Sequence, residues 1–451
     1  MTAESKVDFL INGILAKIRA QLLRSGDRLP SIREQAALAG VSKNTAVEVY
    51  LRLVAQGILI SKPGSGFFVS RRSAPPARSP ELPQSGITGR AALLVEQLER
   101  RLPIRPGDGR PPPEWLEGSE LRRHLSFLRF QEIDVYNSPW GYLPLRKRLC
   151  GAMVERGIGC KPQQVVMTHG ANHAMDLILR RYVKSGDAVL VDNPGYYPLL
   201  AKLTLMNARI VGVQRNQDGP DLADLETKAA QSDARFFFTQ SLAHNPTGGS
   251  ITAGVAYGVL KIATAHNVTV VENDPCADIL PYTAPRLAAL DQLDRVIYIG
   301  TFTKTLAASI RVGYVAASSQ RAQDLAELNV ITGICTSAHD ERLIFSLIEH
   351  GHYLKHLRRL RARLSKASAS AIAGLEAAGA TIHRPTGGGY YIWVNLPSAP
   401  PMEDLVADAA SRGIFIAPSI NFFVGDPIPA MRVNVTHASH PTFLSWIESI
   451  L

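Results

Sequence analysis

The chain has 451 residues, 46% of them hydrophobic and 20% charged, a composition that excludes a disordered or fibrous protein and allows several domains. Net charge is +10, and the first 72 residues hold 11 Lys and Arg against 5 Asp and Glu, which points to a polyanion-binding module at that end. Cys150, Cys160, Cys276 and Cys335 form no Cys-x-x-Cys pair, so no disulfide scaffold or metal site is expected. With no leader-like start and no bilayer-length apolar run, the expectation is a soluble cytoplasmic protein with no membrane partner.

From Val7 to Leu23 apolar residues recur at helical spacing (Phe9, Leu10, Ile14, Ile18, Leu22), and Ser25-Gly26-Asp27 closes the stretch. Ser31 with Glu34 three residues later predicts a capping box on a second helix that Gly40 ends. Ser42 caps a third helix through Gln56, expected to bury Val47, Tyr50, Leu51 and Val54, and Glu48 pairs with Arg52 at i+4. Ile58–Lys62 and Phe67–Val69 flank Pro63-Gly64-Ser65-Gly66 and predict a β-hairpin wing. This order resembles the winged helix of the GntR family, carried by Leu29-Pro-Ser-Ile-Arg33, Val41-Ser-Lys-Asn-Thr45 and Gly64-Ser-Gly66-Phe67. The resemblance implies double-stranded DNA as partner. Ser42, Lys43, Asn44 and Thr45 would enter the major groove, and Arg33, Lys62 and Gly66 would touch backbone or minor groove.

The winged helix is assigned to residues 1–72, and the Pro- and Ser-rich run over 73–90 is expected to be a linker. Over 91–451, strand-like runs at Gln164–Met167, Ala188–Val191, Arg209–Val213, Arg235–Phe238, Val268–Val271 and Val296–Ile299 alternate with helical stretches starting at Ala171 and Tyr197. This rhythm predicts an α/β domain with a mostly parallel sheet, whose ligands bind beyond the strands' carboxyl ends.

The motifs that carry chemistry fall at those ends. In Gly300-Thr301-Phe302-Thr303-Lys304, a lysine amine suited to forming a Schiff base with an aldehyde stands beside two hydroxyls, and Arg311 follows seven residues on to supply charge to a phosphate. The amides of Gly170, Ala171 and Asn172 open a helix after a strand and suit an anion. Asp192-Asn-Pro-Gly-Tyr196, His244-Asn245-Pro-Thr-Gly248, Tyr136-Asn-Ser-Pro-Trp-Gly141 and Pro429-Ala-Met-Arg432 complete the set, with Thr386-Gly-Gly-Gly-Tyr390-Tyr391-Ile-Trp393 upstream of the last.

Together they resemble fold-type I aminotransferases, which use pyridoxal 5'-phosphate. The resemblance implies that Lys304 is the cofactor lysine and catalytic residue, and that Gly170, Ala171, Asn172, Thr301, Thr303 and Arg311 hold the phosphate. Tyr196 would stack on the pyridine ring, and Asn245 would bond its phenolic oxygen. Arg432 would fork onto the α-carboxylate of an amino compound. Tyr136 matches the tyrosine that reaches the phosphate in the neighbouring subunit's site, which implies a homodimer. The run Glu272-Asn273-Asp274-Pro275-Cys276 departs from the family, whose carboxylate beside the pyridine nitrogen aligns with Asn273 and whose tyrosine aligns with Cys276. Either Asp274 takes over the nitrogen or the ring has a weaker partner, a change that favours binding over turnover.

A GntR-like winged helix ahead of such a domain, with a small C-terminal α+β domain, resembles the MocR subfamily. The implied function is a transcription regulator that senses pyridoxal phosphate, and an amino compound reacting with it, through Lys304. An active aminotransferase with a DNA-binding appendage is the alternative.

Overall fold

The computed structural model describes residues 6–19, 22–55, 57–62, 65–70, 87–127, 137–397 and 400–451, and the chain divides into two units, Met1–Glu81 and Leu82–Leu451.

In the first unit α1 (Lys6–Arg19), α2 (Ile32–Ala39) and α3 (Lys43–Ala55) precede a hairpin of β1 (Leu59–Lys62) and β2 (Gly66–Val69), paired from Leu59 with Val69 to Lys62 with Gly66. The capping box on α2 is present in both directions, and Gly40 ends the helix at φ +63. Ser42 Oγ accepts from Thr45 N at 3.1 Å and so caps α3. Two details depart from the sequence pattern. The amides of Leu22 and Leu23 both return to the Lys17 carbonyl, a wide closing turn that leaves Leu22 74% exposed rather than inward; the expected Phe9 side chain lies outside the described residues. On α3 the buried face is Ala46, Val49, Tyr50 and Leu53, while Leu51 is 57% exposed. Six apolar residues lie between Val47 and Val54, so composition leaves the inward face open and only the packing of Val49, Tyr50 and Leu53 with Ile11, Ile14 and Leu29 selects it.

The second unit opens with α4 (Ile87–Glu99), α5 (Leu121–Phe127) and α6 (Leu143–Glu155). Residues 71–86 lie outside the described ones, so the expected linker is described only at its end, where α4 starts at Ile87 instead of after Arg90. The reason is local: Arg90 donates to the carbonyls of Asn421 and Phe423 at 3.1 and 2.9 Å, which ties this turn to the unit.

The order continues β3 (Val165–Thr168), α7 (Ala171–Tyr182), β4 (Ala188–Asn193), α8 (Tyr197–Leu205), β5 (Arg209–Asn216), β6 (Gly219–Pro220), α9 (Leu222–Gln231), β7 (Phe236–Thr239), α10 (Ala253–Ala265), β8 (Thr269–Asp274), α11 (Leu287–Asp291), β9 (Val296–Thr301) and β10 (Gly313–Ala316). Then come α12 (Ser319–Gly333), α13 (Ala338–Glu349), α14 (His352–Ala377), β11 (Thr381–His383), β12 (Tyr391–Asn395), α15 (Met402–Ser411), β13 (Ala417–Pro418), β14 (Ala430–Asn434) and α16 (Pro441–Ile450).

All six strands expected from the apolar runs are present in one sheet, ordered β3-β10-β9-β8-β7-β4-β5-β6. Its centre, from β9 to β5, is parallel, and alternate residues of these strands enter separate cores on its two faces: Leu190, Phe237 and Val270 on one, Val189, Phe238 and Val271 on the other. The sequence pattern missed β10, which runs antiparallel between β3 and β9. A second, antiparallel sheet, β11-β12-β14-β13, forms the small domain with α15 and α16.

Leu53→Ala empties a site in the small core and is expected to lower the opening free energy of α3 by about 2–5 kcal/mol, whereas Leu51→Ala stays within about 0.5 kcal/mol. Hydrogen exchange of the α3 amides in the full chain, read by mass spectrometry, checks this; equal effects would reverse the assignment of the inward face.

Candidate functional site

A cavity of ≈ 310 Å³ opens beyond the carboxyl ends of the parallel strands. On one side the loop after β3 turns at Gly170 (φ +81) into α7, whose first residues Ala171 and Asn172 line the cavity. A Cβ on Gly170 would stand 2.9 Å from the Arg311 guanidinium and 3.6 Å from Thr303 Oγ1, so this glycine lets loop, hydroxyl and guanidinium meet. Thr301 and Thr303 hydroxyls lie 3.0 Å apart, and Arg311 reaches both Thr303 Oγ1 and the His169 carbonyl at 3.4 Å. A helix N-terminus, two hydroxyls and an arginine thus converge as an anion cradle.

Lys304 enters from the turn after β9. Its Nζ donates to Tyr391 Oη at 2.9 Å and to the Gly109 carbonyl, and Tyr390 Oη holds the Lys304 carbonyl at 2.7 Å. Opposite, Arg432 of β14 is 1% exposed. It donates to Asn245 Oδ1 at 2.9 Å and to the Gly107 carbonyl at 2.7 Å, while its Nε has no partner among the described residues. The Tyr391 and Phe422 rings lie 4.7 and 5.3 Å from its guanidinium carbon and hold it in place. Tyr196 at the start of α8 also lines the cavity, burial pushing its phenol well up, so it stays a neutral ring.

The site residues expected from sequence therefore meet in one place, with two exceptions. Tyr136 lies outside the described residues. Asp274 does not reach the cavity: its carboxylate accepts from Arg286 Nε at 2.8 Å and Tyr298 Oη at 2.9 Å on the opposite side of β8. Successive residues of a strand face opposite ways, so Asn273 lines the cavity in its stead. Cys276 lines it too, burial raising its thiol to about 12 and keeping it protonated. Sequence reasoning missed the contributions of Gly109, Arg110, Gln240 and Tyr391. Only Tyr391 left a signal, in the Gly387-Gly388-Gly389-Tyr390-Tyr391 run whose glycines all adopt positive φ.

In the first unit, Arg33, Lys43, Asn44 and Lys62 are exposed. The hydroxyls of Ser42 and Thr45 lie 2.9 Å apart and serve the α3 cap, which leaves Lys43 and Asn44 as the projecting side chains of its first turn. Glu48 pairs with Arg52 at 2.6 Å. Gly66 in the wing adopts φ +103, and a Cβ there would approach Arg28 Nε to 3.4 Å, which adds the exposed Arg28 to this basic surface.

Residues 105–446 match the aminotransferase class I and II family, and residues 7–69 match the gntR family of bacterial regulatory proteins. The probable rhizopine catabolism regulatory protein MocR of Rhizobium meliloti is 30% identical over 372 residues, covering 78% of this chain and 73% of that protein. The chain belongs to the MocR subfamily of GntR regulators. The HTH-type transcriptional regulator YdcR of Escherichia coli, 27% identical, aligns over 93% of this chain and 92% of its own length, both domains included. Among solved structures, the α-aminoadipate aminotransferase LysN of Thermus thermophilus superposes with a TM-score of 0.72 at 23% identity, over 79% of this chain and 93% of LysN, and was solved with N-(5'-phosphopyridoxyl)-L-leucine. That likeness fixes the fold of the second unit. As a MocR-type regulator the chain joins a DNA-binding winged helix to an aminotransferase-like domain, and among the described residues no helix is long and apolar enough to cross a membrane.

Beneath the cavity of this MocR-type chain, the buried Glu272 is pushed up to about 7 by burial, which outweighs its bonds from Ser241 Oγ and the amides of Leu287 and Ala288. A carboxyl whose pKa is higher folded than unfolded holds its proton more tightly in the native state, so stability falls as pH rises from about 4.5 to about 7. Glu272→Gln removes that titration and is expected to flatten the Tm profile across this window. An unchanged slope, measured by calorimetry, would show that Glu272 does not govern it.

Proposed function

We propose that this chain is a cytoplasmic, homodimeric, DNA-binding transcription regulator whose second unit holds pyridoxal 5'-phosphate and senses it together with an amino compound. The observation that carries this is the convergence of a phosphate-type cradle, a lysine amine and a carboxylate-type arginine in one cavity, on a chain that begins with a winged helix. The residues fit the cofactor: Gly170 lacks the Cβ that would crowd the Arg311 guanidinium and the Thr303 hydroxyl of the cradle, and Arg432 Nε has no partner among the described residues. Bound there, the cofactor would supply an aldehyde and an electron-withdrawing ring.

In this reading Gly170, Ala171, Asn172, Thr301, Thr303 and Arg311 hold the phosphate, Lys304 supplies the amine that meets the aldehyde, and Tyr196 covers one face of the ring. Asn245 orients Arg432, whose planar fork takes a carboxylate that a lysine would hold less well. Were an amino compound to take the place of Lys304, the freed Nζ would be able to donate to Tyr391 Oη and the Gly109 carbonyl as it does here, so occupancy would be read as a rearrangement around one side chain. On DNA, Lys43 and Asn44 would contact base edges or phosphates, with Arg28, Arg33 and Lys62 on the backbone.

An active aminotransferase is the second reading, favoured by the 28% identity to the 2-aminoadipate transaminase of Thermus thermophilus over 74% of this chain and 86% of that enzyme. Catalytic release of keto acid over many turnovers would select it.

The test uses an operator selected from random DNA by the full chain. Operator affinity, read by fluorescence anisotropy, should change by about 5- to 150-fold when cofactor and candidate amino compounds are added. Lys304→Ala should lose both the visible absorbance of bound cofactor and the effect of added amines, while still binding DNA. Equal affinity under all conditions would sink the sensing role.

A further inference from the structure

Cys150 and Cys160 stand ten residues apart in the chain, yet their Sγ atoms lie 3.4 Å from each other. The turn that closes α6 brings them together. Gly157 adopts φ +79, and the amides of Gly157 and Ile158 return to the carbonyls of Val154 and Met153, so the chain doubles back along the helix. Ile158 is fully buried, Gly159 N donates to Gln292 Oε1 at 2.9 Å, and Lys161 N donates to Gln164 Oε1 at 3.0 Å. Cys160 is thereby held on both sides against the buried Cys150, while part of its own surface stays open to solvent.

The two thiols are unlike. A hydrogen bond from the Cys160 thiol lowers the Cys150 pKa against the opposing effect of burial, and the Arg146 guanidinium, four residues earlier on α6, adds to the lowering. The same bond, together with burial, holds Cys160 above its ordinary value. Arg146 donates through Nη1 to the Pro162 carbonyl at 2.7 Å, and its Nε has no hydrogen-bond partner among the described residues. A thiol drawn toward the thiolate beside a cation, in contact with a second thiol that keeps its proton, matches a nucleophile with its resolving partner.

We propose that Cys150 and Cys160 are a reversible oxidation site that takes hydrogen peroxide and closes to a disulfide. The Cys150 thiolate attacks one peroxide oxygen, the O–O bond breaks, and hydroxide leaves a sulfenic acid on Cys150. The Cys160 sulfur then attacks the sulfenic sulfur. An S–S bond forms, the S–O bond breaks, and the departing oxygen leaves as water with the Cys160 proton. Once the first hydroxide has taken the proton that Cys150 gave up on ionising, two thiols have lost two electrons and one peroxide has become two waters. A disulfide holds its sulfurs at about 2.05 Å, roughly 1.4 Å closer than the present contact, a gap that rotation of two short side chains spans. An added thiol reverses the closure by exchange. The bond joins α6 to the segment that enters β3, so the chain gains a response to oxidant that does not depend on what fills the cavity.

The test treats the reduced full chain with hydrogen peroxide and counts free thiols after quenching in denaturant. The count is expected to fall from four to two, with one peptide linking Cys150 to Cys160 by mass spectrometry and full recovery on adding dithiothreitol. Cys160→Ser should leave a sulfenic acid on Cys150 that dimedone traps, and Cys150→Ser should lose both products. The wild-type peptide map decides even if either variant fails to fold. Retention of all four thiols, a disulfide between subunits, or earlier oxidation of Cys276 or Cys335 would overturn the proposal. So would closure no faster in the native chain than in urea, because the fold would then contribute nothing to the meeting of the two sulfurs.

Discussion

The cavity depends on a contact between two backbones. A Cβ on Gly313, at the start of β10, would stand 2.7 Å from the Gly170 Cα, so only glycine lets the antiparallel strand meet the turn into α7. Through that contact the N-terminus of α7, the hydroxyls of Thr301 and Thr303 and the guanidinium of Arg311 come together, and the turn that carries Lys304 is fixed beside them. Each element follows ordinary rules of a parallel sheet, with ligands gathered beyond the carboxyl ends. The antiparallel insertion of β10 between β3 and β9 brings the lysine turn and the anion cradle to the same end of the sheet.

A second constraint, the two-residue period of β8, sets the charge of the site. Glu272 and Asp274 fall on one side with Ser241, Arg286 and Tyr298, and Asn273 falls on the other. The acids of this run help to hold the sheet against the segment around α11, and the cavity receives an amide among four cations. An architecture shared with transaminating enzymes is in this way suited to retaining anionic, amine-bearing ligands, which accords with a MocR-type chain that carries a DNA-binding module.

Much of this was legible in the sequence, for reasons that differ by element. Ser31 with Glu34, Gly40 and Ser42 encode their caps locally, and the apolar runs of the parallel strands mark themselves because both faces are buried. The inward face of α3 was not legible, since apolar residues surround the helix from Val47 to Val54 and tertiary contacts select Leu53 over Leu51. The choice between Asn273 and Asp274 required the register of β8, which adjacent residues do not reveal. Gly109, Arg110 and Tyr391 come to Lys304 from segments distant in the chain, and no local pattern announces that meeting.

The central claim, that occupancy of the cavity and binding of DNA are linked, has a direct thermodynamic test. If cofactor and amine change operator affinity by some factor, operator must change the affinity for cofactor and amine by that same factor. Titrating pyridoxal phosphate into the full chain by visible absorbance, with and without saturating operator, measures it. The account predicts two affinities whose ratio equals the ratio of operator affinities measured with and without ligand. Identical cofactor affinities in the presence and absence of operator would contradict it.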